Sequence, residues 1–542
     1  MQNNLPIDLF HWILSLLPLA VLLIFLVGLR WKAGQAGPVG MFTAWAVALI
    51  FLRTPFFNLA AASAKGIWDS LFILYVVWPA LLLYQVTQNA GAFEALRVGI
   101  RKFSRNRLFL VLSFGWVFSS FLQGISGFGT PIAVTAPLLL AIGVKPIYSV
   151  VIPLIGHAWA NMFGTLAVGW LATLQVVDLA NPTETALQTA ILLWIPDLLA
   201  GFSIAWIFAG FKGIAKGWVF ILTISIIHGA GQIAMVLIDP IISTFIPATV
   251  ALMAIYPFSR WKLYRDPQDF DTKVMSEGGE EEQEEKPVMG LWVSLFPYMV
   301  LALVAIIGSA IPAVEDFLAQ VQIGFDAPAT TTGYGVVNEV EEPYSPFSIF
   351  THPGTYLLIA TLAGYLLYKS RGYYKKRASQ EEQQGIWLGL ASNAVPASIA
   401  ITSFLVMSKV MDDSGQTEIL ALGISQTVSP AIYAFLSNWI GVLGAFMTSS
   451  NTASNILFAP LQQIVSQTEQ GLSEASIIAA QSTGGAIGNA IAPANVVLGL
   501  STIQHLGNTA KVLRITLVWA VIVAALTGAA TILLNNIKFL GG

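Results

Sequence analysis

The sequence contains no cysteine, few charged residues and none of the common catalytic or nucleotide-binding motifs. Without cysteine, its 542 residues cannot form disulfides, thiol nucleophiles or thiolate metal sites. No GxxxxGK[ST] loop and no HExxH motif occurs, so neither ATP-driven transport nor zinc chemistry is expected. We find neither a Ser/His/Asp set nor paired carboxylates at matching depth, and the net charge of −3 gives no reason to expect nucleic acid as a partner. We therefore expect that the protein has no catalytic residue, binds no metal and is not an enzyme.

Charged residues make up only 10% of the chain, against about 25% in soluble domains, whereas 56% of its residues are hydrophobic. The mean hydropathy is +0.72. Apolar runs close to the ~20 residues that cross a bilayer recur along the whole chain, which predicts an all-α polytopic membrane protein with about 12–14 membrane segments. The first run, residues 9–29, lacks a preceding basic flank and a cleavage site, so we expect a retained helix.

The polar loops predict how the chain crosses the membrane. Basic residues cluster in 97–107, 260–265 and 369–377, whereas 313–352 contains six acidic residues and no Lys or Arg. By the positive-inside rule the basic loops face the cytoplasm and the acidic stretch faces outward, with both termini outside. The acidic run 277–286 then lies in a cytoplasmic loop, where we expect a solvated segment without a function of its own.

A weak internal repeat divides the chain into two copies. "QNAGAFEAL" (88–96) aligns with "DDSGQTEIL" (412–420), placing Gly91 on Gly415 at an offset of 415 − 91 = 324. Asn161 then falls near Asn489, since 489 − 161 = 328, and Phe121 falls on Phe446 between them. The charge rule gives the copies opposite orientations, which is typical of inverted-repeat secondary transporters. We predict a first repeat at 1–216, linking helices and the acidic cytoplasmic loop at 217–288, and a second repeat at 289–542.

Four polar stretches, three of which contain glycine, interrupt the apolar runs, two in each copy. They are "QGISGFGTP" (123–131), "GHAWANMFG" (156–164), "TSSNTASN" (448–455) and "QSTGGAIGNAIAPAN" (481–495). Irregular backbone at membrane depth is tolerated only where it is buried or lines a wet cavity, and helix N-termini there suit a carboxylate. Close helix packing through small residues is the alternative. The substrate-binding candidates in these stretches are Gln123, Gly124, Ser126, Gly127, Gly129, Thr130, His157, Asn161, Ser449, Gly485, Asn489 and Asn495.

The first and third stretches lie inside broken regions at about 107–145 and 428–466. We favour re-entrant hairpins with tips at 124–131 and 448–455, because the arms of the first region are shorter than the ~20 residues needed to cross. Two full spans would return the chain to the same side, so charge bias does not separate the two geometries. The second and fourth stretches predict two discontinuous helices.

Ionisable residues inside spans cost at least ~2.5 kcal/mol each, so each needs a reason. His157 is a candidate for proton coupling or for the substrate carboxylate, or else a neutral histidine satisfied by a backbone carbonyl. Asp197 is a candidate proton carrier or the partner of a nearby cation. We expect Lys409 to snorkel to the outer surface rather than bind substrate, and His228 to pack in a linking helix.

The motifs also resemble one family. "GISGFGTPIAV", "SSNTASNILFAPLQ" and "QSTGGAIGNAIAPANVVLG" resemble the signature stretches of the bacterial lactate permease family along essentially the whole chain. The resemblance implies import of L-lactate, and often of D-lactate and glycolate, by proton symport. The run Ser450-Asn451-Thr452 is similar to hairpin-tip motifs of dicarboxylate and citrate carriers, where it holds a substrate carboxylate and in some members sodium. The resemblance thus adds these three residues to the candidates. The first copy departs from it, reading Ser126-Gly127-Phe128, which fits a smaller substrate with one carboxylate.

We therefore expect secondary active uptake of 2-hydroxymonocarboxylates by alternating access in the cell inner membrane. A monoanion entering a negative-inside cell climbs ~2.3 kcal/mol per 100 mV, and one co-transported proton cancels that charge. We expect no cofactor; the proton is the coupling ion, with sodium as the alternative. A passive anion channel is a rival function. The expected partners are a small carboxylate and the lipid bilayer, and a homodimer is an open alternative.

Overall fold

The computed structural model describes residues 4–101, 104–268, 270, 272–276, 288–309, 311–378 and 385–537, so the acidic run 277–286 lies outside the described residues. Within these ranges, ten helical segments are long and apolar enough to cross a membrane. The predicted helical, multi-pass membrane architecture is confirmed.

The first half of the chain is helical up to residue 236. Its helices are α1 (Leu9–Leu23, continued by a π turn Ile24–Gly28), α2 (Ala33–Ile50), α3 (Phe56–Ala90), α4 (Ala92–Arg101), α5 (Arg107–Leu112, joined by a π turn Ser113–Phe118 to α6), α6 (Ser119–Ile125), α7 (Thr130–Ala141), α8 (Pro146–Gly156), α9 (Gly164–Leu174) and α10 (Pro182–Val236).

Helix α10 is too long to be one straight span. Its 55 residues would extend about 80 Å at 1.5 Å per residue, whereas the hydrocarbon core is about 30 Å thick. Non-helical dihedrals at Ala209 (φ −151°) and Gly210 (φ +58°, ψ −140°) divide it into two helices.

The second half contains the remaining helices and four short strands. The helices are α11 (Phe245–Arg260), α12 (Lys262–Arg265), α13 (Leu291–Ser309), α14 (Pro312–Leu318), α15 (Pro353–Ser370), α16 (Tyr373–Ala378), α17 (Ile386–Asp413), α18 (Gln416–Ser425), α19 (Pro430–Thr448), α20 (Asn451–Thr468), α21 (Glu474–Asn489), α22 (Pro493–Thr502) and α23 (Thr509–Asn535). The strands are β1 (Gln322–Ala327), β2 (Thr330–Thr331), β3 (Val337–Asn338) and β4 (Glu341–Ser348).

The same succession of elements occurs in both halves. A long helix ends next to a glycine with a left-handed backbone, Gly91 (φ +82°) after α3 and Gly415 (φ +86°) after α17. Each is followed by a ten-residue helix, a helical hairpin and a broken helix. The halves also pack crosswise, because α3 and α2 contact α17 while α15 contacts α3, and α1 contacts α18 while α13 contacts α4.

Four short irregular segments interrupt the hairpins and broken helices. They are tip 1 (residues 126–129, between α6 and α7), break 1 (157–163, between α8 and α9), tip 2 (449–450, between α19 and α20) and break 2 (490–492, between α21 and α22). These segments are narrower than the sequence indicates, because residues 451–455 already start α20 and residues 481–489 belong to α21. The first arms, Arg107–Ile125 and Pro430–Thr448, are each 19 residues long and apolar enough to cross a bilayer, so the re-entrant geometry stays a prediction.

The acidic stretch forms small antiparallel sheets that the sequence analysis did not predict. β1 pairs with β4 and β2 pairs with β3. Residue Tyr344 on β4 is buried, and its hydroxyl donates to Asp69 on α3 at 2.8 Å. Burial raises the pKa of the Tyr344 hydroxyl above its usual range, with the nearby Asp69 charge acting in the same direction, so the hydroxyl is a neutral donor.

Beneath this hairpin, ion pairs join α3, α17 and β4. Lys409 Nζ lies 3.4 Å from Asp69 Oδ2, and Lys65 Nζ lies 3.1 Å from Glu341 Oε1 and 3.8 Å from Asp413 Oδ2. The Lys409 side chain is only 15% exposed. The expectation that Lys409 snorkels to the surface is wrong, because a fully buried carboxylate holds it inside.

Candidate functional site

Tip 1 is a turn of three successive residues with positive φ. Gly127, Phe128 and Gly129 have φ angles of +35°, +46° and +84°. Glycine is favoured in this region because it has no Cβ. The Thr130 N–H donates to the Gly127 carbonyl oxygen, and Pro131 has no N–H. The start of α7 therefore offers few free backbone donors to an anion.

Tip 1 packs closely against both broken helices. A Cβ on Gly127 would lie 2.2 Å from Thr165 Oγ1 in α9, and one on Gly129 would lie 2.3 Å from Leu498 Cδ2 in α22. Because α9 and α22 belong to different halves of the chain, tip 1 sits where the two halves meet. Both glycines are thus required by close contact as well as by backbone conformation.

Break 1 contains a short 3₁₀ turn, and the first turn of α9 that follows it has left-handed backbone. The turn Ala158–Asn161 follows His157, and Thr165, Leu166 and Ala167 have φ angles of +51°, +52° and +62°. Three consecutive non-glycine residues in this region are strained, and such strain persists only where the surrounding structure imposes it. All of these residues are buried.

Tip 2 has a different structure, because it ends in a capped helix N-terminus. Ser449 adopts a left-handed φ of +58°, and the Ser450 side chain accepts a hydrogen bond from the Ala453 N–H at 3.2 Å. The first-turn N–H groups of α20, including those of Asn451 and Thr452, have no intrahelical acceptors and carry partial positive charge. Tip 2 therefore offers more to a carboxylate than tip 1.

The two breaks touch each other through asparagines. Asn489 Nδ2, at the end of α21, donates to Asn161 Oδ1 in break 1 at 2.8 Å. Asn495 Nδ2, in α22, donates to Asn489 Oδ1 at 2.6 Å. The sequence repeat pairs Asn161 with Asn489, and the structure joins these two side chains directly. Three predicted candidates thus form one chain of amides that links the two halves of the sequence.

A second group of amides surrounds Met162 of break 1. The Nδ2 atoms of Asn455 and Asn451 lie 3.2 and 3.7 Å from Met162 Sδ. Asn451 is 4% exposed, and its Oδ1 has no hydrogen-bond partner among the described residues. This oxygen sits against Gly485 of α21, where a Cβ would lie only 2.0 Å away. Asn451 is thus a buried acceptor in close contact with the second broken helix.

The remaining candidates line the tips without joining these amides. Gly124 packs against the backbone of Phe245 in α11, Ser126 donates to the Leu122 carbonyl oxygen at 3.4 Å, and the Gln123 carbonyl lies against Gly164. Gln123, Ser126, Thr130 and Thr452 are all buried.

Sequence reasoning missed three polar members of this region. Asn455 donates to Ser482 Oγ at 3.4 Å, Gln481 donates to Asn455 Oδ1 at 3.4 Å, and Thr165 contacts tip 1. Asn455 and Gln481 lie in the quoted polar stretches, so their amide side chains were the available signal. Thr165 follows the second stretch directly and had no distinguishing pattern.

The two proton-coupling candidates occupy different surroundings. His157 Nδ1–H donates to the Pro153 carbonyl oxygen at 2.5 Å, which leaves Nε2 as its titrating nitrogen. Asp197 lies on α10 and accepts from His228 Nδ1 at 3.0 Å. The expectation that His228 only packs in a linking helix is therefore wrong, because the kink in α10 brings it to Asp197.

Comparison with known proteins decides the family. The sequence profile of the family described as L-lactate permease matches residues 11–538. The chain belongs to the L-lactate permease family. It is therefore a transporter rather than an enzyme, and the resemblance in its broken segments is confirmed.

Three curated relatives illustrate the spread of the family. The L-lactate permease of Escherichia coli strain K12 is 26% identical over 543 residues, covering 96% of each chain. The L-lactate permease of Halalkalibacterium halodurans is 25% identical over 515 residues, covering 92% of each. The glycolate permease GlcA of Escherichia coli strain K12 is 24% identical over 549 residues, covering 96% of this chain and 95% of the relative.

Two solved transporter structures are also similar. The YdaH transporter of Alcanivorax borkumensis has a TM-score of 0.41 at 14% identity and covers 84% of each chain. MtrF of Neisseria gonorrhoeae has a TM-score of 0.45 at 14% identity, covering 96% of this chain and 97% of its own.

Proposed function

We propose that this protein takes up L-lactate and related 2-hydroxymonocarboxylates, including D-lactate and glycolate, by secondary active transport with proton symport and alternating access. Relatives named L-lactate permease and glycolate permease, aligned over more than nine-tenths of the chain, support L-lactate and glycolate as substrates. We place the protein in the cell inner membrane. The distribution of charged loops favours an orientation with both termini outside.

The observation that carries this proposal is the meeting of irregular segments from both copies. Asn161 of break 1 and Asn489 beside break 2 share a hydrogen bond, and tip 1 contacts α22 across the same boundary. Secondary transporters with inverted repeats bind substrate at such a boundary and move one part against the other around it. A contact made by one side chain from each copy is well placed to break and reform during that movement.

The polar groups suggest how the substrate is oriented. The carboxylate suits the N-terminus of α20 at tip 2, where Asn451 and Thr452 supply first-turn N–H groups. The 2-hydroxyl suits the buried Asn451 Oδ1, which accepts but has no donor among the described residues. Tip 1 then contributes mainly shape, because Gly127 and Gly129 permit close approach.

Charge arithmetic favours a proton as the coupling ion, and no cofactor is required. Import of a monoanion together with one proton moves no net charge, so the membrane potential of ~2.3 kcal/mol per 100 mV does not oppose it. His157 and Asp197, the latter paired with His228, are the candidates for the proton-coupling site. Sodium is the alternative coupling ion, and a passive anion channel is the alternative mechanism.

Purified protein in sealed, sodium-free vesicles tests the coupling. External L-lactate should acidify the lumen, and the pH change should vanish with vesicles lacking protein. Uptake that requires sodium and leaves the lumen pH unchanged would contradict proton symport, and single-channel conductance would favour the channel.

The hydroxyl contact makes a separate prediction about selectivity. An acceptor left unsatisfied on burial costs about 1–3 kcal/mol, so the wild-type protein should prefer lactate over propionate by about 5- to 150-fold. Asn451→Ala should remove most of that preference, measured by competition against labelled lactate uptake. Asn393→Ala is the matched control, because Asn393 lies in α17 and donates to the Gly389 carbonyl of its own helix. If the Asn451→Ala and Asn393→Ala variants prefer lactate over propionate equally, Asn451 does not bind the 2-hydroxyl.

A further inference from the structure

A fully buried carboxylate–imidazole pair joins the two halves of α10. Asp197 and His228 are both 0% exposed, and Asp197 Oδ1 accepts from His228 Nδ1 at 3.0 Å. The same oxygen accepts from Trp116 Nε1 at 3.0 Å, and Oδ2 accepts from the Ser225 hydroxyl at 2.8 Å. Three hydrogen-bond donors thus converge on one carboxylate.

The other imidazole nitrogen is free. His228 Nε2 is buried and has no hydrogen-bond partner among the described residues. Because Nδ1 donates to Asp197, Nε2 carries the lone pair of a neutral imidazole. The pair therefore holds one negative charge with a neutral ring and none once Nε2 takes up a proton. Binding one proton thus removes the net charge of a group buried in the protein interior.

The His228 ring is in direct contact with break 1. Trp159, in the 3₁₀ turn Ala158–Asn161, stacks on His228 with ring centroids 4.6 Å apart and planes 28° apart. The Trp159 Nε1–H donates to the Ser120 hydroxyl on α6 at 2.9 Å. Asn161, two residues after Trp159, accepts from Asn489 of the second copy. A charge on His228 thus acts on the turn that carries the contact between the copies, because a cation over an indole face is attracted to it.

We propose that His228, held by Asp197, binds the symported proton at Nε2, and that Trp159 couples this proton to break 1. The proposal rests on the proposed proton symport. Nε2 takes the proton from a hydronium ion of the outer solution, so an O–H bond breaks as the Nε2–H bond forms. When the substrate is released, the Nε2–H bond breaks and the proton passes to water on the inner side, where an O–H bond forms. Asp197 is a positioning residue, since it fixes the tautomer and offsets the imidazolium charge.

The other titratable groups near the pair are less suited to this role. His157 is the nearest in the chain to Trp159, but its Nδ1–H bonds to the neutral Pro153 carbonyl, which offsets an imidazolium charge less than the Asp197 carboxylate does. On α10 itself, Glu184 lies in the first turn and Lys212 and Lys216 follow the kink. On the packed helices the charged side chains lie within two turns of a helix end: Arg107 on α5, Arg260 on α11, Glu474 on α21, and Lys511 and Arg514 on α23.

Comparing proton-driven accumulation with exchange separates coupling from substrate binding. His228→Gln in vesicles should retain exchange of labelled lactate at equal pH on both sides, within about threefold of wild type. Accumulation driven by a pH gradient should fall at least about tenfold, and external lactate should no longer acidify the lumen. His505→Gln is the matched control, because the His505 side chain bonds to the Ile503 carbonyl in a loop before α23, away from break 1. Lumen acidification by His228→Gln at the wild-type rate would overturn the proposal.

Tryptophan fluorescence gives a second readout that does not depend on that variant folding. Protonation of an imidazole stacked on Trp159 should quench its emission, so wild type minus Trp159→Phe should show a pH-dependent component that shifts when lactate is added. A difference that is flat between pH 5 and 8, with and without lactate, would overturn the assignment of His228. If the wild-type protein itself does not acidify the lumen when lactate is added, proton symport is refuted. If it does acidify the lumen while both readouts for His228 are negative, only the assignment of the proton to His228 is refuted.

Discussion

Replacing Gly485 by alanine should displace Asn451 and largely abolish uptake. The new Cβ would lie 2.0 Å from Asn451 Oδ1, whereas ordinary contact begins at 3.4 Å. One of the two groups must therefore move by about 3.4 − 2.0 = 1.4 Å. Displacement of a substrate-positioning group by about 1 Å can cost about 100-fold in rate, so we expect lactate uptake to fall by about that factor.

The helix itself should not suffer from this substitution. Gly485 lies inside α21 without a positive φ, and alanine in a helix interior is favoured over glycine by about 1 kcal/mol. Thermal unfolding in detergent should therefore show a stable protein, with the loss confined to transport. Initial uptake of labelled lactate into vesicles measures the effect.

The matched control is Gly507→Ala, where a Cβ would meet no atom within 4 Å. It should transport at the wild-type rate. Uptake by Gly485→Ala within about twofold of this control would refute the reasoning, because Asn451 would then tolerate displacement without loss of function.

Two further predictions concern stability. Lys409→Met should lower the free energy of unfolding by about 3 kcal/mol, because it removes the cation paired with the buried Asp69 carboxylate. Lys511 is exposed, so Lys511→Met is the control and should have no effect. Equal melting temperatures of the two variants would contradict a stabilising role of the ion pair. Burial lowers the pKa of His352 to about 3, and the neutral ring accepts a hydrogen bond from the Gly354 N–H. The contribution of His352 to the free energy of unfolding should therefore be fully present above pH 6.5 and fall by up to about 1.4 kcal/mol per pH unit as the pH drops towards 3. A His352→Gln variant with the same pH dependence as the wild type would contradict this.

The helices and their interruptions were predictable because both follow from local composition. Apolar runs of membrane-spanning length predict helices, and clustered glycine, proline and asparagine predict where they break. The repeat was also visible in single residues, since the aligned Gly91 and Gly415 both take the left-handed backbone that glycine permits. Asn161 and Asn489, paired by sequence offset alone, are in hydrogen-bond contact.

The strands in the acidic stretch escaped prediction because their pattern is short and irregular. The register between β1 and β4 shifts between Ile323 and Phe325 and again between Phe325 and Ala327. Such bulges disturb the alternation of apolar and polar residues from which a strand is inferred. The acidic composition of residues 313–352 is typical of a solvated loop and gave no indication of a hairpin whose Tyr344 is buried against α3.

Long-range ion pairs could not be inferred from the sequence. Lys409 and Asp69 are 340 positions apart, and no pattern along either helix indicates that their faces meet. Asp197 and His228 lie on the same helix, but only the kink at Ala209 and Gly210 folds its two halves together. Tertiary packing, rather than local preference, decides such contacts.

Gradient-driven accumulation of lactate tests the central claim most directly. Vesicles with an imposed pH difference of one unit, alkaline inside and without sodium, should accumulate L-lactate about tenfold over the outside concentration, because one pH unit is worth about 1.36 kcal/mol per proton. The gradient should collapse when a protonophore is added. An inside-to-outside ratio of one, or accumulation that appears only with sodium, would contradict proton-coupled uptake.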